Sequence, residues 1–252
     1  MTTLKKVLKL MTVVSSSAGM ALATSCYIAG LQVATIVAGE LAWVSILVAG
    51  VCCLLSAMCF SELTSMYPTA AGIKLFIQNA FNERIAIIIG MFYVVLGISM
   101  VGAESFVLSK VMTESLTIIG PQADRVIWLS AFVVFVAYIN YRGVKIAGTA
   151  EDIMTFAMLL LLALISVYTI SRSGVDFQAA YSSGKFTFSN VVNAAGLGVF
   201  LFVGFEWVSP LAEETTDYRM IGKGMLIAIG ILSIVYSLFT VAIWVGLTPE
   251  QR

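Results

Sequence analysis

Asn193-Ala194-Ala195-Gly196-Leu197-Gly198-Val199-Phe200-Leu201-Phe202-Val203-Gly204-Phe205-Glu206 concentrates small residues and a carboxylate inside one apolar run. Each of its three glycines weakens a helix interior by about 1 kcal/mol relative to alanine. Its closing carboxylate costs about 3 kcal/mol in a bilayer unless it is paired, hydrated or protonated. The residues between are nevertheless apolar enough to lie in lipid, so the stretch reads as a membrane helix that either packs closely on a neighbour or breaks part-way.

The whole chain supports a lipid setting. Its 252 residues are 60% apolar and 11% charged, with a mean hydropathy of +1.00. A soluble domain carries about 25% charged residues, so a soluble globule is excluded. Lys+Arg and Asp+Glu stand at 14 each, which leaves no basic footprint for nucleic acid and no acidic tail.

Working outward from residues 193–206, apolar runs separated by polar, Pro- or Gly-bearing joints give seven spans, near 10–29, 40–61, 85–109, 126–141, 153–170, 189–211 and 222–246. Each is of helix length for a bilayer about 30 Å thick. The expected fold class is therefore an all-α membrane protein of about seven transmembrane helices, in one membrane domain over 1–252. Pro68, Pro121 and Pro249 fall in joints, and Pro210 ends or bends the sixth span. Lys5, Lys6 and Lys9 precede the first span, but its length and the spans that follow argue against a signal peptide.

With the N-terminus cytoplasmic, the inner segments hold nine basic residues, namely Lys5, Lys6, Lys9, Lys74, Arg84, Arg142, Lys145, Arg219 and Lys223, against five outside. The excess favours that orientation, in a plasma (inner) membrane. The loop from Gly30 to Gly39 has no Lys or Arg, which fixes the first hairpin. Trp43, Trp128 and Trp244 then fall near the outer interface. A retinal protein would need a lysine inside the last helix, and none lies between Lys223 and Trp244. A heptahelical receptor would need the opposite orientation.

The first span carries a matching cluster of small residues, Ser15-Ser16-Ser17-Ala18-Gly19-Met20-Ala21-Leu22-Ala23-Thr24-Ser25. Gly19 and Phe200 both fall near the bilayer midplane. Small residues can serve close helix packing. They can also mark discontinuous helices whose freed amides and carbonyls line a cavity and hold a zwitterion, and two clusters at one depth favour this second reading. Phe200 either stacks on a substrate and closes the cavity or packs in the core. Glu206 either bonds a neighbouring helix or acts as a gating or proton-coupling acid. Glu104, about two turns from Lys110, either functions or simply pairs.

No histidine occurs, which removes imidazole bases, the usual triads and most zinc sites. Cys26, Cys52, Cys53 and Cys59 lie in apolar runs without metal-ligand spacing. No catalysis, metal or cofactor is expected, and an intramembrane hydrolase would lack an acid pair inside one span.

Two stretches resemble the amino acid-polyamine-organocation superfamily of amino-acid permeases. Phe60-Ser61-Glu62-Leu63-Thr64-Ser65-Met66-Tyr67-Pro68-Thr69-Ala70-Ala71-Gly72, followed by Ala80-Phe81, is similar to the family's "ELSSRYPTAGG…AFG" signature. Phe202-Val203-Gly204-Phe205-Glu206, followed by Ala212-Glu213-Glu214, resembles its "FxGFE…AEE" run, and Gly143-Val144-Lys145 is a weaker third match. The resemblance implies two inverted five-helix repeats, with the first and sixth helices unwound around an amino acid or amine. By position, Ser17, Ala18, Gly19 and Ala21 would offer amides to the carboxylate. Carbonyls near Phe200 and Gly204 would meet the ammonium, Phe200 would be the lid, and Glu206 the gating or coupling acid. Protons or an exchanged substrate would drive transport.

The sequence also departs from the family. Met20-Ala21-Leu22-Ala23-Thr24 stands where relatives carry "GSGIF", and Met158 stands where some proton-coupled members have a lysine. Residues 10–170 correspond to the first repeat, and 189–246 to the first two helices of an incomplete second. On length, the rival expectation is a truncated permease-like fragment or subunit with a binding, sensing or assembly role.

Overall fold

A computed structural model describes residues 6–22, 30, 32–33, 42–173 and 187–246. Among these the regular elements are helical: α1 Leu10–Ala21, α2 Ala42–Met66, α3 Ile73–Ala80, α4 Glu83–Ser115, α5 Pro121–Tyr141, α6 Val144–Ser173, α7 Phe188–Phe200, a 3-10 helix Phe205–Glu213 and α8 Arg219–Gly246. Six helical segments are long and apolar enough to cross a membrane, α7 and the 3-10 helix counting as one, and α1 is a shorter apolar helix. Thr24, Ser25, Cys26, most of the first outer loop, Lys185 and Pro249 lie outside the described residues.

Local chemistry sets several boundaries. The Asn82 side chain accepts from Ile85 N–H at 3.0 Å and starts α4, which satisfies one of the donors a helix leaves free at its N-terminus. Pro121 sits in the first turn of α5, where its missing N–H costs nothing. The Asp124 carboxylate accepts from the amides of Ile118, Ile119 and Gly120 at 2.8–3.3 Å and ties the preceding loop to that helix. Gly143 adopts φ +105° between α5 and α6, a region glycine enters without strain.

Several helices run past the hydropathy spans, and two differences bear on the site. The fifth span begins at Val144, nine residues before 153, so Glu151 and Asp152 lie within a helix and form the adjacent acid pair that hydropathy excluded from the spans. The cause is packing, since both carboxylates bond hydroxyls of α1. The inner joint after α2 also contains the short helix α3, which follows the turn at Pro68.

The buried core lies among α1, α2, the 3-10 helix and α8, with Val13, Ile46, Phe202, Met225, Ile229 and Leu232 essentially inaccessible. Helices α4 and α5 instead present large apolar side chains outward, including Phe92, Ile98 and Val134. A face of that kind is stable in lipid, where apolar surface carries no hydration penalty. The protein is an integral membrane protein.

Candidate functional site

The sixth span breaks at the predicted place. Helix α7 ends at Phe200, residues 201–204 turn, and Gly204 takes φ +113° before the 3-10 helix starts. A side chain at that φ is strained, and an added Cβ would stand 2.9 Å from Met20 Cβ. Gly204 thus gives both the left-handed corner and the close approach to α1.

Helix α1 ends beside this corner. Its last helical residue is Ala21, and Leu22 N–H bonds the carbonyls of Ala18 and Gly19 at 3.0 and 3.1 Å. Ser17 Oγ donates to the Phe205 carbonyl at 3.1 Å, and the Tyr236 hydroxyl of α8 donates to the Ala21 carbonyl at 2.6 Å. The C-terminal ends of α1 and α7 therefore converge on one corner, where partial negative charge gathers. No donor among the described residues reaches the carbonyls of Leu201 and Val203.

The other ends of the two half-helices are also joined. Val7 and Leu8 N–H donate to the Glu214 carbonyl at 2.9 and 3.0 Å, and Thr216 N–H donates to the Leu8 carbonyl at 3.1 Å. Between these ties α1 leans on α6. Thr12 Oγ1 donates to Asp152 at 3.0 Å, Ser15 Oγ also donates to Asp152, and Ser16 Oγ donates to Glu151 at 2.7 Å. Hydroxyl donors to carboxylates are the stronger class of hydrogen bond.

Glu206 opens the 3-10 helix and turns away from α1. Its carboxylate accepts from Tyr93 Oη of α4 at 3.0 Å and from Gly204 N–H at 3.2 Å. The Tyr93 ring stacks at 4.9 Å on Trp207. Both aromatic residues line an apolar cavity of about 980 Å³ along α4, which Ile98, Val101 and Lys74 also border. None of the singled-out residues of α1 lines it.

A protein-family model described as amino acid permease matches residues 8–251. The chain belongs to the amino acid permease family. Among its relatives, the branched-chain amino acid permease BcaP of Bacillus subtilis is 28% identical over 232 residues, covering 85% of this chain and 49% of the relative. The methylthioribose transporter of Bacillus subtilis is 23% identical over 93% of this chain and 53% of its own length. The vacuolar cationic amino acid transporter 4 of Arabidopsis thaliana is 26% identical over 98% of this chain and 44% of its own length. The chain thus spans about half the length of these relatives.

The structure brings Ser17 and Ala21 to the corner at Gly204, leaves Ala18 buried in α1, and sets Glu206 two residues beyond the corner. Two expectations change. Ser17, Ala18, Gly19 and Ala21 lie inside α1, so what the helix end presents is carbonyls. Gly19 faces α6, where an added Cβ would meet Thr155 Oγ1 at 2.6 Å. Phe200 ends α7 and is 47% exposed. The enclosed aromatics are Phe202, edge-on to Tyr236 at 5.8 Å, and Phe205, edge-on to Phe60 at 6.0 Å. Sequence reading missed Tyr93, Tyr236 and the Glu151–Asp152 pair, whose one visible signal was two acids directly before an apolar run.

Proposed function

We propose that this chain carries the substrate-binding corner of a secondary transporter for amino acids or related amines, working by alternating access. The observation that carries this reading is the meeting of the end of α1 with the turn that interrupts the sixth span after α7, where Ser17 is bonded to the Phe205 carbonyl. Two helix C-termini and the open carbonyls of Leu201 and Val203 suit an ammonium. The branched-chain and cationic amino acid carriers among the relatives support amino acids or amines as cargo.

In this mechanism α1 and the 3-10 helix form the moving inner gate. The Thr12, Ser15 and Ser16 bonds to Asp152 and Glu151 hold the gate against α6. Glu206 ties its other side to α4 through Tyr93. Opening inward breaks one set of bonds, and substrate at the corner biases which conformer prevails. The basic-residue balance supports a cytoplasmic N-terminus, and protons or an exchanged substrate are the proposed driving species.

The test is ligand stabilisation of the purified chain in detergent across a panel of amino acids and amines. A ligand selective for the folded state raises the melting temperature with concentration. A shift for one chemical class that is lost in Ser17→Leu supports the reading. A cooperative melt that no ligand moves sinks it and favours a role in assembly.

A further inference from the structure

A second cavity, of about 420 Å³, lies between the inner end of α2 and the start of α8. Met58, Ser61, Glu62, Ser65, Arg219, Gly222, Lys223 and Leu226 line it. We propose that it is a binding site for a glycerophospholipid bearing a primary amine, with the phosphate on Arg219 and Lys223 and the ammonium on Glu62.

The depth of each lining residue argues for a lipid. Helix α2 ends at Met66 and α8 begins at Arg219, so Glu62, Ser65, Arg219 and Lys223 fall in the terminal turns, at the membrane surface. Met58 and Leu226 lie one turn deeper. The cavity therefore grades from charged to apolar along the membrane normal, as a headgroup joined to acyl chains does. A free phosphate ion would have no use for the apolar end. Gly222 forms the floor, because α8 touches Ser61 there so closely that no Cβ would fit.

Charge selects the headgroup. Glu62, Arg219 and Lys223 are all exposed, and none has an ion-pair partner among the described residues. Asp217 accepts the Arg219 backbone N–H at 3.0 Å and attracts its guanidinium from outside the cavity, so the two cations and two carboxylates sum to zero, as phosphatidylethanolamine does; the guanidinium lies 5.8 Å from the Tyr218 ring. Two cations and one carboxylate are answered together by a phosphodiester and an ammonium. Phosphatidylglycerol would leave Glu62 without a cation. The quaternary ammonium of phosphatidylcholine has no N–H to donate to it. Basic cavities between membrane helices are recurrent headgroup sites. The cavity opens on the side of the chain's N-terminal segment, because Leu8 pairs with Thr215, four residues before α8.

The test is lipid retention by the purified full chain, read by native mass spectrometry after incubation with phosphatidylethanolamine, phosphatidylglycerol or phosphatidylcholine. Phosphatidylethanolamine is expected to be retained several-fold above the other two. Lys223→Gln together with Arg219→Gln should bring all three to one low level, and Glu62→Gln alone should abolish the preference over phosphatidylcholine. A cooperative melt of each variant separates loss of the site from loss of the fold. Equal retention of the three lipids, a preference for phosphatidylglycerol, or a preference that survives the double substitution overturns the proposal. Displacement of the bound lipid by soluble phosphoethanolamine at comparable concentration also overturns it, because the apolar end would then contribute nothing.

Discussion

The backbone N–H of Ala70 donates to the Glu213 carboxylate at 2.8 Å, across 143 residues of chain. This bond joins the two stretches that carry the family resemblance. Beside it, an added Cβ on Gly72 (φ +48°) would stand 3.1 Å from the Pro210 ring. The turn after α2 is thus a seat for the end of the 3-10 helix. Replacing Glu213 by Ala is expected to cost about 1 kcal/mol, while Glu213→Gln keeps an acceptor and most of the stability. Thermal melts of the two variants in one detergent check the difference.

Gly204→Ala places a Cβ at φ +113° and against Met20. The expected cost is about 1–3 kcal/mol for the backbone strain, seen as a lower melting temperature. A companion substitution at Gly196, where nothing lies within 4 Å of an added Cβ, should leave stability unchanged or raise it. A drop at Gly196 equal to that at Gly204 would contradict the assigned corner.

Ser15 and Asp152 should be energetically coupled, since the hydroxyl of one donates to the carboxylate of the other. A double-mutant cycle with Ser15→Ala and Asp152→Asn is expected to return an interaction energy of about 1–3 kcal/mol. Additive effects would mean that the contact does not hold α1 to α6.

Tyr93→Phe removes the phenolic donor to Glu206 but keeps the ring on Trp207. A loss of about 1–2 kcal/mol is expected, because the carboxylate keeps only the Gly204 N–H. Glu206→Gln combined with Tyr93→Phe should cost less than the sum of the two, a comparison that chemical denaturation can make.

Much of this arrangement was legible in the chain. Gly204 and Glu206 marked the break because glycine and a carboxylate are costly in a membrane helix, and the break stands there. The start of α6 was not legible, because hydropathy weighs Glu151 and Asp152 as surface residues. Their compensation comes from Thr12, Ser15 and Ser16, more than a hundred positions away. Serines in the first span read as small residues marking a break, and only the fold shows their hydroxyls as donors to α6 and to Phe205. Phe200 and Phe202 are equally aromatic in sequence, yet one is half exposed and the other inaccessible, a difference set by the turn that follows α7.

The short pairing of residues 7 and 8 with 214–216 has a mechanical consequence. With Ser17 fastened to Phe205 at the far end, the first half-helix and the 3-10 segment are stapled at both extremities, like two rails with crossbars. Neither can swing alone, so a force applied to the N-terminal tail is transmitted as rotation of the pair. The tail becomes a handle on the corner some 13 residues away from Leu8 at Ala21, and trimming it should turn one lever into two independent arms.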